Sequence, residues 1–525
     1  MSDSTRHTGE TGVEQLKTLG DIVRVQAALQ PEAPALVYGD RVSSFRELEA
    51  MSNKTARRLG ILGLGRPARI AIFARNTDAF FPVLFGTAKA GHVLVTINFR
   101  LTVPEITYIL NDSGAELVFC ETEFAEKVEA CRPDVRSLKH VVVMDGGQGS
   151  DDSLETWFAD LDDHAPEIEV TPDDTAIQMY TSGTTGVPKG VELTHEAMIV
   201  AAQEGLTLWR ALFAPDRSVL ATMPLFHIAA ANLGIAGLAA GARVEIVREA
   251  TVLQTLQLIA GHRITIAPLP ATVIHQMTQL EEVKHLDLSH LDTLLIAGSG
   301  IPVELLRTAQ EVLGCGFALS YGMTECCGGL SYLGPGDCTY DAGEKLKSAG
   351  RVFGENKIRI VDAKGNDLPA GETGEILCDS RRVMKSYWNR PDATREALRA
   401  GWYHSGDAGY LDADGYLFVV DRIKDMVISG GENIYPVEIE NELIKHPGVH
   451  DVAVVGTPDS KWGEALVGVI VSVSGKPLDK EDLISFLRGR LAGYKIPRRY
   501  EYVDSLPRNT TGKVLKRVLR DQFSN

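Results

Sequence analysis

The 525-residue sequence predicts an α/β fold: a large N-terminal body on parallel sheets, a β-rich subdomain, and a small α+β domain at the C-terminus. Three observations carry this reading. Short apolar strands alternate with helical periodicity through most of the chain. From Lys357 to Val420 strands follow one another across turn signals instead. The remaining C-terminal stretch carries its own set of strands and helices.

The alternation is clearest between Arg69 and Cys120. Arg69–Ala74 is an apolar run suited to a buried strand, Thr77–Ala90 has helical periodicity, and His92–Ile97 is rich in β-branched residues. Thr102 followed by Pro104 opens the next helix, because proline's missing N–H costs nothing in a first turn. Glu116–Cys120 closes the unit as a strand, so the expected sheet is parallel with crossover helices. Further short strands are expected at Ala176–Tyr180, Val219–Met223, Arg243–Val247, Ile264–Ala267 and Thr293–Ala297. Between Lys357 and Val420 the turns are marked by Gly365-Asn366 and Asp414-Gly415. Beyond them, Pro436 opens a helix to about His446 with Glu438 and Glu440 in its acidic first turn. Val449–Val455 and Leu466–Val473 read as strands and Lys480–Leu491 as a helix.

Hydrophobic residues make up 44% of the chain, enough for a full core, and the net charge is −17. An acidic surface repels phosphate backbones, which argues against nucleic acid as a partner. The seven cysteines are scattered with no Cys-x-x-Cys pair, a pattern of reduced thiols in the cytosol and not of a structural zinc. Met1–Glu14 is polar and lacks the order of a signal peptide, and no apolar run has the length to span a bilayer. A cytoplasmic location is expected, with peripheral membrane contact and a homodimer left open.

The densest chemistry is Tyr180-Thr181-Ser182-Gly183-Thr184-Thr185-Gly186-Val187-Pro188-Lys189-Gly190, directly after a strand. Glycines let backbone approach an anion, and hydroxyls with a lysine supply donors to phosphate oxygens. It is not a Walker A loop, which needs Gly-Lys-Ser/Thr. Other motifs follow in order: Pro224-Leu225-Phe226-His227, Tyr321-Gly322-Met323-Thr324-Glu325, and Tyr403-His404-Ser405-Gly406-Asp407. Then come the run from Asp421-Arg422-Ile423-Lys424-Asp425 to Ser429-Gly430-Gly431-Glu432-Asn433, and finally Pro507-Arg508-Asn509-Thr510-Thr511-Gly512-Lys513. In this order, over nearly the whole chain, they resemble the adenylate-forming superfamily of acyl-CoA synthetases, luciferases and peptide-synthetase adenylation domains.

The resemblance implies ATP, Mg²⁺ and coenzyme A, and an acid–thiol ligase that makes an acyl-adenylate before the thioester. Lys513 bridges the acid and the α-phosphate. Glu325 ligates Mg²⁺, with Thr184 as a second ligand, since hard oxygen donors suit that ion. Thr181, Ser182, Gly183, Thr184, Thr185, Gly186 and Lys189 cradle the phosphates. Tyr321 stacks on adenine, with Gly322, Met323 and Thr324 beside it and Gly298-Ser299-Gly300 as the other wall. Asp407 accepts from the ribose hydroxyls and Arg422 adds a donor.

It also implies two domains, a body over 1–423 and a mobile domain over 424–525, with Lys424 as the hinge. Ser429, Gly430, Gly431 and Glu432 would then admit the pantetheine arm. Phe226, His227, Ala229 and Leu233 line the acyl pocket, and His227 is counted with Lys513, Glu325 and Thr184 among the catalytic residues. The texture from Met426 to Pro436 is closest to medium- and long-chain fatty acyl-CoA synthetases; aromatic or phenylpropanoid acids are the alternative, and polycyclic or branched acids a third. An amino-acid adenylation module would place an aspartate near Phe226 and continue into a carrier domain, whereas here His227 occupies that neighbourhood and the sequence stops at Asn525. A luciferase is separated only by light emission. A non-catalytic homologue would be expected to lack Lys513 or Glu325, and both are present.

Overall fold

A computed structural model describes residues 12–146, 153–181, 187–208, 214–297, 301–429, 432–459, 462–509 and 512–524. Packing divides the chain into two compact units, 1–357 with 378–403, and 358–377 with 404–525. The boundary expected from the sequence is 423/424; here the β-rich stretch is divided, with 358–377 and 404–420 grouped with the C-terminal residues and 378–403 with the first unit.

The first unit holds two sheets. One has seven strands in the order Ser386–Tyr387, Lys189–Thr194, Thr175–Thr181, Val93–Ile97, Arg69–Phe73, Ala115–Cys120, His140–Val143. Its last five strands are mutually parallel, and Val93–Ile97 is buried throughout, as expected of a strand covered on both faces. Thr102 caps the helix Val103–Ser113 in a reciprocal box with Glu105. The helix after Arg69–Phe73 begins at Phe80, later than its periodicity suggests, because Thr77 Oγ1 and carbonyl accept from the Ala79 and Phe80 N–H groups in a turn.

The other sheet has nine strands in the order Arg351–Val352, Gly328–Leu333, Gly316–Met323, Thr293–Ala297, Ile266–Pro270, Ser218–Ala221, Arg243–Ile246, Pro34–Tyr38, Arg41–Ser44. Its centre is parallel and both edges antiparallel. The strand expected at Ile264–Ala267 runs on to Pro270 despite two prolines, and Pro270 caps the helix Ala271–Gln279. The segments bearing the motifs follow the carboxyl ends of these parallel strands, where open α/β sheets bind ligands.

In the second unit, strands within 358–361, 374–377 and 404–411 neighbour one another in that order, and Leu417–Arg422 pairs antiparallel with 404–411. Val449–Asp459 and Gly463–Ser472 form a long hairpin, longer at both facing ends than the sequence suggests. Alternate residues face two small cores, Val452, Val454 and Ile470 on one side and Ala453, Val455 and Val469 on the other. The helix opened by Pro436 ends at Leu443, and the one opened by Lys480 ends at Leu487, where Arg488 turns extended ahead of Gly489. All seven cysteines are free and buried. Among the described residues no helix is long and apolar enough to cross a membrane.

Two buried imidazoles in the first unit make acid lability a direct expectation. His92 Nδ1 accepts from the Ala68 N–H and His195 Nδ1 from the Leu19 N–H, and burial pushes each pKa from 6.5 down to about 4. The folded state binds these protons less readily than the unfolded chain, so the stability they confer is full above pH 6.5. It is lost as pH falls from 6.5 towards 4, by on the order of 3 kcal/mol for each imidazole. Urea midpoints measured over that range should fall, and His195→Gln, which keeps an acceptor for Leu19, should flatten the slope. An equal slope in the variant would rule out His195 as a source.

Candidate active site

The strands on either side of the Gly/Ser/Thr-rich motif pair antiparallel in the first unit. Tyr180 pairs with Gly190 and Thr181 with Lys189 across the antiparallel strands Thr175–Thr181 and Lys189–Thr194. Ser182, Gly183, Thr184, Thr185 and Gly186 lie outside the described residues, as do Gly298, Ser299 and Gly300. The hairpin's stem is pinned from several sides. Tyr108 OH donates to the Pro188 carbonyl at 2.9 Å, Tyr180 OH to Asp112 Oδ2 at 2.8 Å, and Trp388 Nε1 to the Asp112 carbonyl at 2.9 Å. Arg390 pairs with Asp112 Oδ1 at 2.7 Å. Burial and the Asp112 charge together push the Tyr180 hydroxyl pKa up, which keeps it a donor. Lys189 Nζ sits 4.3 Å from the centroid of the Tyr387 ring, a cation–π contact.

The second motif meets this hairpin. The strand Gly316–Met323 ends in a single turn, Thr324–Cys326, and returns as Gly328–Leu333. Gly322 is obligatory there: a Cβ would lie 1.9 Å from the Gly328 carbonyl oxygen. Glu325 Oε1 accepts from Tyr387 OH at 3.0 Å and from Thr181 Oγ1 at 3.4 Å. Burial, then the Glu325 charge, raises the pKa of Tyr387 and of its hydrogen-bonded neighbour Tyr403, so both hydroxyls stay protonated. The half-buried Glu325 carboxylate meets the hairpin stem at Thr181 with hydroxyl donors and no cation of the described residues paired to it. That donor set fits Mg²⁺, which takes one or two carboxylates and completes its shell from phosphate and water. Among the described residues no cluster of three or more His, Cys, Asp or Glu forms a metal cage.

His227 precedes the helix Ile228–Ala239 as its N-cap residue, and its ring lies 4.3 Å from that of Phe226. Phe226 meets the edge of Phe99 at 5.6 Å, and Thr96 Oγ1 donates to its carbonyl at 3.1 Å. Of the other expected pocket residues on this helix, Leu233 is buried and Ala229 exposed. Phe99 also lines a cleft of about 1050 Å³ bordered by Arg75, Arg100, Lys127, Arg248 and Pro224. Arg75 and Arg248 are matched by Glu121, Glu123 and Glu249, whereas Arg100 and Lys127 have no carboxylate partner among the described residues.

The second unit carries the remaining motifs. Asp407 is 5% exposed and its Oδ1 pairs with Arg422 Nε at 2.6 Å, so the two expected ribose ligands form one group. Lys424 lies in the one-turn segment Ile423–Asp425. Ser429 and Glu432 face each other across a hairpin whose tip, Gly430-Gly431, lies outside the described residues. Lys513 is exposed beside a tight turn: its N–H donates to Asn509 Oδ1 and its carbonyl accepts from the Asn509 N–H, both at 2.9 Å. Arg508 braces that turn on Asp451 at 2.6 Å and on the Gly512 carbonyl at 2.7 Å.

Sequence reasoning missed Tyr387, Asp112, Arg390 and Arg382, and gave Tyr403 no role beyond its place in a motif. Their partners lie tens to hundreds of residues away, so no local spacing announces them; only the Tyr387-Trp388 pair between charged residues is a hint of aromatic packing.

The AMP-binding enzyme family matches residues 23–388, and its C-terminal domain family matches 438–513. The chain is 38% identical to a fatty acid–acyl-carrier-protein ligase, ScoC, of Streptomyces coeruleorubidus, over 97% of each chain. It is 37% identical to a feruloyl-CoA synthase of an Amycolatopsis species, over 95% of this chain and 97% of the relative. The solved fatty acyl CoA synthetase of Mycobacterium tuberculosis superposes with a TM-score of 0.78 at 33% identity, over 97% and 98% of the two chains. The chain belongs to the AMP-binding enzyme family, in the acyl-CoA synthetase branch of the adenylate-forming superfamily, and is an AMP-forming acid–thiol ligase.

Proposed function

We propose that the chain activates a medium- or long-chain fatty acid with ATP and transfers the acyl group to coenzyme A. The observation that carries this is the meeting of Glu325 with Thr181 at the stem of a hairpin built from hydroxyls, glycines and Lys189. In the first step the substrate carboxylate attacks the α-phosphorus, and the α–β anhydride breaks to release pyrophosphate. The hairpin and Lys189 hold the phosphates, and Lys513 neutralises charge between the acid and the α-phosphate. Tyr321 stacks on adenine, and Asp407, oriented by Arg422, accepts from the ribose. Mg²⁺ supplies charge neutralisation on the phosphates when bound, and Glu325 with Thr184 would hold it. In the second step the thiol sulfur attacks the acyl carbonyl and AMP leaves, while the thiol proton passes to phosphate or solvent.

The thiol would arrive past Ser429 and Glu432. The reaction partners are small molecules, and we place it in the cytoplasm; a homodimer and peripheral membrane contact are readings for light scattering and liposome sedimentation. Aromatic acids are the second reading, favoured by the Phe99–Phe226–His227 ring cluster at the acyl wall. A panel of acids graded in length and aromatic character separates the two. AMP release stimulated by coenzyme A is expected, with the highest kcat/KM on a fatty acid; a ferulate-like acid in first place would sink the fatty-acid assignment.

A further inference from the structure

One peptide carbonyl beside Glu325 is held with unusual care. Cys327, two residues on, has a φ of +52°, a left-handed conformation that a non-glycine residue adopts only under strain. Its carbonyl accepts from Asn232 Nδ2 at 2.7 Å and from Arg382 Nη2 at 3.0 Å. Arg382 is 3% exposed, and its Nη1 pairs with Glu204 Oε2 at 2.9 Å. Glu204 also accepts from Asn356 Nδ2 at 3.0 Å and from the Glu355 N–H at 2.8 Å. The guanidinium Nε is buried without a hydrogen-bond partner among the described residues.

A buried ion pair is weak evidence of added stability, and an orphan donor subtracts from it. What the fork does achieve is geometric: one guanidinium reaches a buried carboxylate and a strained peptide at once, which an ammonium cannot match. The segment after Arg382 continues the same grip, with the Met384 N–H on the Glu325 carbonyl at 2.7 Å and Tyr387 OH on its carboxylate. Arg382, Met384 and Tyr387 thus clasp the turn at successive points.

We propose that Arg382 is a positioning residue that holds the Cys327 peptide and thereby aims the Glu325 carboxylate at the Mg²⁺ accompanying ATP. The inference rests on the metal role assigned to Glu325 above. Calorimetry of ATP binding, in EDTA and in Mg²⁺, gives two dissociation constants whose ratio reports the metal's contribution without any turnover.

Arg382→Lys keeps the charge beside Glu204 but loses the fork, and Arg382→Met with Glu204→Met removes both charges together. In each folded variant the ratio should fall about 10-fold, a size typical of lost outer-shell support, while metal-free ATP binds as before. Asn232→Ala removes the other donor from a partly exposed side chain and carries the same direction, so the test survives a failure of the buried variants to fold. Ratios unchanged in the folded variants, while Glu325→Gln abolishes the effect, would overturn the role of Arg382 alone. An unchanged ratio in Glu325→Gln would remove the metal assignment and this inference with it.

Discussion

Lys513→Ala should lower acid-dependent ATP–pyrophosphate exchange by roughly 10²–10³-fold, the loss of one positioned charge partner of a transition state. The acid carboxylate and the triphosphate repel each other, and the first bond to form joins them. A cation delivered to that point therefore acts on the transition state more than on either bound substrate. The fold prepares Lys513 for delivery. Both backbone groups of the residue are tied to Asn509, Gly512 takes a φ of +84° to close the turn, and Arg508 anchors it to Asp451. The backbone is braced and the side chain is exposed, so the ammonium can travel with its turn. Thioester formation from a presynthesised acyl-adenylate and coenzyme A should run near the wild-type rate, because the bond between the acid and the α-phosphate is by then already made. Exchange that survives the substitution, or equal loss in both half-reactions, would remove Lys513 from the chemistry.

What the sequence made legible follows from the range of the interactions involved. The parallel strands were visible because a strand covered on both faces must be apolar at every position, as Val93–Ile97 is. The candidate phosphate-binding run from Thr181 to Lys189 stands out in the sequence because its hydroxyls, glycines and lysine are concentrated in one contiguous stretch. The strand Ile266–Pro270 was misplaced because its two prolines read locally as a stop, and parallel neighbours on either side override that preference. The clasp around Glu325 was not legible at all: Tyr387 and Arg382 reach it from a turn-rich segment with no periodicity, and Glu204 meets Arg382 from a distant helix. The division of the chain was legible in its texture but not in its packing, since strand content says where a subdomain begins and not which neighbour it joins.

Lys424→Pro should leave acyl-adenylate formation within a few-fold of wild type and lower thioester formation on the order of 100-fold, the scale of a small misplacement of reacting groups. Lys513 and the hairpin that carries Ser429 and Glu432 both follow Lys424 in the chain, so a turn about that one residue moves them together. Asp407 and Arg422 precede it and keep their 2.6 Å pair. The segment beyond is built to turn as a piece: Arg520 holds the Lys424 carbonyl at 3.2 Å and Asp425 at 2.6 Å. Two bonds of the described residues span the joint, the Val437 N–H to Asp421 Oδ2 at 3.0 Å and the Met426 N–H to the Arg422 carbonyl at 3.1 Å, and a rotation must break them. Proline fixes φ near −65° and drives the preceding Ile423 away from helical backbone, which removes the freedom a rotation needs. If Lys513 and the pantetheine hairpin serve in turn at one place, the variant stalls after the first service and acyl-adenylate accumulates. Single-turnover assays separate the steps, and parallel loss of both would mean that the proline damages the fold and that Lys424 is no hinge.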